Sequence, residues 1–331
     1  MKLTLASLLL LAAGSVQAQG VLNIYSSRHY DTDERLYSDF EEATGIKIQR
    51  IEGNADELIA RIEVEGENSP ADLLLTVDTS RLHRAKEAGL LQPVESEVLE
   101  ARIPAFLQDN DNHWFSFSQR SRIIFYAKDR VENPPRTYAE LADPAYEGKI
   151  CIRSSTNTYN QTLLASIIEH DGEEAARAWT AGIVANMARD PQGGDTDQLR
   201  GVVSGECDIA VSNTYYFARA IRKDVEGLSD SLDQIEWIFP NQNGTGAHMN
   251  VSGGGIAAHA PNRDNAVRFL EYLASDSAQE YFSAGNDEYP AVPGVALAPS
   301  IAELGFFKPD DVDLTAVAQH LPAAQRIFNE A

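Results

Sequence analysis

Basic residues are scarce in this 331-residue chain: 27 Lys and Arg stand against 50 Asp and Glu, a formal net charge of −23. That deficit excludes a general nucleic-acid binder, whose affinity comes from cations facing phosphates. It also excludes an anionic membrane surface as the main partner. Cysteine is nearly absent, with two residues, which rules out a multiply bridged scaffold. Without histidines at ligand spacing, two thiols do not make a zinc site. Beyond the N-terminal stretch no run of about 18 apolar residues occurs, so no transmembrane helix is expected. Catalytic signatures are missing as well. There is no HExxH, no phosphate-binding P-loop and no G-x-S-x-G nucleophile elbow. Repeats, low-complexity tracts and flexible linkers are absent too.

What remains is an exported two-domain α/β protein. The length suits two domains, each with its own core. Residues 1–18 read as a signal peptide: Lys2 gives the positive start, Leu3 to Ala13 the apolar segment, and Val16-Gln17-Ala18 the cleavage site, so cleavage is expected after Ala18. No Cys follows that site, so no lipid anchor is expected. Strands then alternate with amphipathic helices. Val21–Ser26 is a strand, about Asp33 to Thr44 a helix closed by Gly45, Ile46–Ile51 a strand, Ala55–Glu65 a helix, and Asp72–Thr76 a buried strand. A helix near Ser80 to Ala88 stops at Gly89. This order implies a parallel sheet with helices on both faces. After residue 113 come two strand-like runs, Trp114–Ser118 and Arg122–Tyr126. A second series follows, with a strand at 149–153, a helix near Gln161 to His170, and a strand through Cys207 to Ser212. Met249–Ala258 returns to strand, with three glycines, and Arg263–Leu273 is a helix. Such an order suggests two α/β lobes hinged by strands around a ligand cleft.

The chemistry lies in tyrosines placed after strands, where ligands of α/β sheets bind. His29 and Tyr30 follow the first strand, Tyr159 the strand at 149–153, and Tyr215 and Tyr216 the strand at 208–212. A phenol becomes a good ligand only on losing a proton with a pKa near 10, which a trivalent cation drives. Hard anionic oxygens prefer Fe(III) over softer ions. Single strand-end tyrosines also serve as amphipathic cleft walls. Cys151 and Cys207 lie in apolar, strand-like runs; in an oxidising compartment they are either bridged or buried inert thiols, structural in both cases. Ser154, Ser155 and Thr156 precede a helix and suit capping or anion binding. Asp109-Asn110-Asp111-Asn112 lacks the glycine and glutamate of an EF-hand and reads as a solvated turn. His83, His170, His259 and His320 are scattered, and His248, which could support a hinge with Asn250, reads first as a surface residue.

The chain resembles the ferric-iron-binding periplasmic proteins, the solute-binding subunits of iron(III) ABC transporters. The resemblance is carried by Ile24-Tyr25-Ser26-Ser27-Arg28-His29-Tyr30, by Gly148–Ser155 with Tyr159-Asn160-Gln161, by Ser212-Asn213-Thr214-Tyr215-Tyr216, and by Glu288-Tyr289-Pro290. It implies a two-lobed, transferrin-like type II binding protein crossed by two hinge strands. One lobe would comprise 19–121 plus 246–296, the other 122–245 plus 297–331. The implied cargo is Fe(III), held by Tyr30, Tyr159, Tyr215 and Tyr216, with His29 at the family's histidine position. The branch with a glutamate ligand is not matched, because Val77 with Asp78 beside it occupies that slot. Four phenolates around Fe(III) leave one net negative charge, which Arg28, Arg120 and Arg153 are placed to offset. The resemblance further implies a non-catalytic periplasmic monomer that delivers iron to an inner-membrane ABC permease, with or without a small synergistic anion. The competing readings are an anion or polyamine carrier on the same fold, and a secreted hydrolase using paired carboxylates.

Overall fold

The computed structural model describes residues 20–28 and 30–331. The signal-peptide segment and His29 lie outside the described residues. Val21–Ser26 (β1) leads through a 3-10 turn at Asp31–Asp33 into Glu34–Thr44 (α1), closed by Gly45 at φ 71°. Lys47–Glu52 (β2), Ala55–Glu65 (α2), Leu73–Thr76 (β3) and Thr79–Glu87 (α3) follow within a residue or two of the sequence expectation. Leu91–Gln92 (β4) and Glu97–Arg102 (α4) precede Phe115–Ala127 (β5). Next come Ile150–Cys151 (β6), Thr158–Asn186 (α5, interrupted at Gly172), Asp195–Ser204 (α6), Ile209–Asn213 (β7) and Thr214–Arg222 (α7). The chain finishes with Ile235–Ile238 (β8), Met249–Ala257 (β9), Arg263–Leu273 (α8), Asp276–Asn286 (α9), Tyr289–Pro290 (β10), Pro299–Leu304 (α10), Leu314–Gln319 (α11) and Leu321–Glu330 (α12). No helix among the described residues is long and apolar enough to cross a membrane.

The strands run in the order β2-β1-β3-β9-β5-β7-β6, with β4 on β9 and β8 and β10 on β5. Pairings of β1 with β2 and β3 are parallel, as the β-α-β order requires, and so is β6 with β7. β9 returns antiparallel between β3 and β5. Its three glycines make that fit possible. A methyl at Gly253 would lie 2.5 Å from the Phe115 carbonyl oxygen, and one at Gly255 2.4 Å from that of His113, distances no real side chain adopts.

The two runs expected at Trp114–Ser118 and Arg122–Tyr126 are one continuous strand. β5 pairs with β9 through Ser121 and with β7 from Arg122 onward, so it passes from one half of the fold to the other. The polar stretch Ser118–Arg122 looked like a break because its side chains are hydrophilic. All of it but the half-buried Gln119 is nevertheless buried at the crossing, where ion pairs and hydrogen bonds hold Ser118, Arg120 and Arg122. Apolar burial changes hands along the same strand. Phe115 and Phe117 pack with Leu22, Phe40, Leu73, Trp114 and Phe269. Ile124 joins Leu164, Trp179 and Val211, and Ile123 and Phe125 join Phe217 and Leu304. The molecule is therefore two-lobed, with β5 running between separate cores.

Two further details differ from expectation. The strand foreseen at 149–153 shortens to Ile150–Cys151, because Arg153 and the residues after it turn toward α5. Cys207 precedes β7 rather than lying in it, and it is bridged to Cys151 across a Cα–Cα distance of 5.8 Å, closing a loop of sequence separation 56. A loop of that length constrains the unfolded chain by about 4 kcal/mol in the chain-entropy account.

His248 is buried at the crossing, not on the surface. Its carbonyl accepts from the Arg122 amide at 3.2 Å and the Ser121 hydroxyl at 3.0 Å, and its ring Nε2 lies 3.4 Å from Thr162 Oγ1. Burial, with the Arg122 cation adding to it, pushes the imidazole down to about 3; Asp78 opposes the shift and His170 adds to it. The folded protein therefore keeps His248 neutral while the unfolded chain protonates it below about 6.5. This contribution to stability is complete above pH 6.5 and is lost as pH falls toward 3, at a slope of about 1.4 kcal/mol per pH unit. His248→Gln should flatten the acid limb of urea-midpoint measurements between pH 6 and 4. An unchanged limb would show that the ring does not titrate on unfolding.

Candidate metal centre

Four phenols reach one region from three elements. Tyr30 comes from the turn after β1, Tyr159 from the first turn of α5, and Tyr215 and Tyr216 from the first turn of α7. The last three were expected after strands; β7 ends immediately before α7, whereas a turn separates β6 from α5. First-turn backbone N–H groups have no intrahelical acceptors, so both helix starts favour negative charge at their tyrosines. The Tyr159 and Tyr215 hydroxyl oxygens lie 3.4 Å apart. The Tyr215 and Tyr216 rings lie 4.1 Å apart, centroid to centroid. Tyr159 and Tyr215 are buried, whereas Tyr30 and Tyr216 are half-buried.

The arginines expected beside them are there. The Arg28 guanidinium carbon sits 5.1 Å from the Tyr30 ring centroid, and those of Arg120 and Arg153 sit 5.8 and 6.0 Å from that of Tyr159. Arg28 forks onto Asp33 at 2.9 and 3.1 Å, with Nη1 3.6 Å from Glu288. Arg120 donates to Ser252 Oγ at 2.6 Å, to Glu288 at 3.2 Å and to the Val77 carbonyl. Arg153 donates to Asp195 at 2.6 Å. Arg28 Nη1 and Arg120 Nε are buried and make no hydrogen bond among the described residues.

Burial raises the phenol of Tyr30, and the Glu288 carboxylate and Tyr159 raise it further, with Arg120 and Arg28 opposing. Tyr215 is raised well above its ordinary value by burial and by Tyr159, Tyr216 and Tyr30. Tyr216 is pushed up to about 12 by burial, then by Asp195 and Tyr159. Without a cation these three phenols are thus neutral at physiological pH. They become ligands only for an ion charged strongly enough to displace their protons.

The other expected candidates are committed elsewhere. Asp78 caps α3 through the Ser80 amide at 2.9 Å and accepts from Asn250 at 2.7 Å, while its neighbour Val77 offers only a carbonyl to Arg120. Asp109 and Asp111, near His113, are bridged by the Lys86 ammonium at 2.8 Å each, so a protein cation neutralises that turn. Ser154 and Thr156 bond to each other at 3.1 Å, and Asn157 caps α5 instead. Sequence reasoning missed Asp33, Asp195, Glu288 and Arg219 as contributors to the site. Glu288 enters the sequence reading only as part of a resemblance motif, and Arg219 carries a signal in its spacing. Four residues after Tyr215 and three after Tyr216 on a helix, it must share their face, and its guanidinium lies 5.4 and 5.7 Å from their rings.

A family model described as bacterial extracellular solute-binding protein matches residues 35–309. The chain belongs to this family. Among the relatives of this solute-binding protein, iron uptake protein A1 of Synechocystis sp. is 49% identical over 314 residues, covering 95% of this chain and 87% of the relative. A solved Trichodesmium structure in complex with iron and citrate shares 47% identity at a TM-score of 0.90, covering 94% of this chain and 99% of that one. The ferric binding protein from Campylobacter jejuni shares 40% identity at a TM-score of 0.86, covering 93% and 98% of the two chains. The two solved structures share this chain's two-lobed α/β fold.

Proposed function

We propose that the protein is a periplasmic carrier that captures Fe(III) between its lobes and delivers it to an inner-membrane ABC permease. The observation that carries this reading is the convergence of Tyr30, Tyr159, Tyr215 and Tyr216 beside buried guanidiniums. Relatives named for iron uptake and ferric binding support it. In this reading the phenols exchange their protons for the ion, Tyr30 approaches from 19–121 plus 246–296, and the other three stand on 122–245 plus 297–331. His29 lies outside the described residues, and the four phenols carry the reading without it. Closure about β5 and β9 completes the shell and expels water. Arg28 Nη1 and Arg120 Nε, which make no hydrogen bond among the described residues, suit an oxygen anion accompanying the ion. The protein acts as a monomer, turns nothing over, and reaches the periplasm after cleavage following Ala18.

One equivalent of ferric citrate added to purified protein should produce an intense visible band from tyrosinate-to-iron charge transfer. Dithionite should bleach it, because Fe(II) is the weaker acceptor for hard anions. A protein that stays colourless and retains no iron after gel filtration returns the tyrosines to the role of cleft walls.

A further inference from the structure

Behind the phenols stand two groups of charge, buried except for the half-buried Arg153. In one, two guanidiniums, Arg28 and Arg120, face two carboxylates, Asp33 and Glu288. In the other, Arg122 and Arg153 share a single carboxylate, Asp195. Four phenolates around Fe(III) carry one net negative charge, and only the second group holds a surplus positive charge to match it.

We propose that Asp195 is a positioning residue for the bound ion: it pins Arg153 and Arg122 and fixes the start of the helix that carries two of the phenols. This rests on the ferric reading above and adds a residue to it. Asp195 is fully buried and opens α6, where the helix N-terminus favours its charge. One carboxylate oxygen accepts from Arg122 Nη1 at 2.7 Å and from the Asn213 amide at 3.1 Å, and the other accepts from Arg153 Nη1 at 2.6 Å. Each donor serves a different part of the site. Asn213 is the residue immediately before α7, so its amide sets where Tyr215 and Tyr216 begin. Arg153 is held with its guanidinium toward Tyr159. Arg122 also donates to Asn160 Oδ1 at 3.0 and 2.7 Å, and Asn160 is next to Tyr159 on α5. A single carboxylate thus ties together β5, the turn after β6, and the start of α7.

Positioning and simple charge predict opposite signs. Four phenolates around Fe(III) carry one net negative charge, so neutralising a nearby carboxylate would by itself tighten binding. Unpinning Arg153 and Asn213 should weaken it. Groups that orient metal ligands typically contribute 10–100-fold in affinity, so the positioning effect should win.

The test measures Fe(III) affinity by citrate competition in wild type, Asp195→Asn, Arg153→Gln and the double variant, with the visible band as a second readout. Asp195→Asn should weaken binding by at least about tenfold and shift the band maximum. Adding Arg153→Gln to it should cost little more, because the two act as one unit. Unchanged or tighter binding by a folded Asp195→Asn protein overturns the proposal, as does full additivity. If Asp195→Asn shows no cooperative melt, Arg153→Gln decides alone, and wild-type affinity with an unshifted band sinks the idea. A wild type without any band removes the ferric reading itself, and this proposal with it. A wild-type band beside an unaltered Asp195→Asn protein removes only the role of Asp195.

Discussion

Replacing Tyr215 and Tyr216 together by Phe should abolish the visible iron band and lower Fe(III) affinity by about 10⁴-fold or more. Groups that merely orient ligands are worth 10–100-fold each, and these two are proposed as direct ligands. The fold should not suffer. Both rings keep their packing at 4.1 Å, and the hydroxyl contact between Tyr159 and Tyr215 is a long 3.4 Å, so the unfolding free energy of the iron-free protein, read by urea titration, should stay within about 1 kcal/mol. Tyr30→Phe should behave differently. Tyr159, Tyr215 and Tyr216 stand together on α5 and α7, so iron is still captured in that variant but with weaker affinity and a reduced band. Competition with citrate, read in the visible, checks both variants. A double variant that binds like wild type would remove the tyrosines as ligands.

How much of this could be read from the sequence depends on what each feature rests on. Local patterns were faithful: Ala55–Glu65 and Arg263–Leu273 fall where their apolar periodicity puts them, and Gly45 ends α1 with the positive φ that glycine tolerates. The tyrosines were legible as a set: one strand-end phenol reads equally as a cleft wall, but an adjacent pair converging with two more from other strands points to a shared ligand. What was hidden depends on distant partners. Ser118–Arg122 reads as a break in a strand until Glu288, some 170 residues later, accepts from Ser118 and Arg120. Asp195 follows two glycines and looks like any loop acid; its importance comes from Arg122, Arg153 and Asn213 converging on it. His248 is polar and isolated in sequence, so nothing local announces that its carbonyl meets β5 and its ring meets Thr162 of α5. Helix α7 was missed because Asn213-Thr214-Tyr215-Tyr216 carries weak helix propensity at its start, and with α7 went the prediction of Arg219.

Glu288 is where stability and iron binding should part company. Its carboxylate is buried, accepts from Ser118 Oγ at 2.5 Å and Arg120 Nη1 at 3.2 Å, and lies 3.6 Å from Arg28. Arg28 would keep Asp33 if Glu288 were removed, but Arg120 would keep only neutral acceptors, Ser252 and the Val77 carbonyl. Removing one partner of a buried ion pair leaves the other uncompensated, at a cost of about 3–5 kcal/mol. Glu288→Ala should therefore lower the unfolding free energy of the iron-free protein by about that much. Glu288→Gln, which can still accept from Ser118 and Arg120, should lose about 1–3 kcal/mol. Iron affinity should move the other way in the Gln variant. The carboxylate raises the Tyr30 phenol, so removing its charge makes that proton easier to displace and leaves more positive charge beside an anionic centre. Paired urea and citrate-competition titrations read the two effects separately. A Glu288→Gln protein that loses stability and iron affinity together would mean that the carboxylate holds Arg28 and Arg120 in the geometry the ion needs, and that this orienting role outweighs the charge it carries.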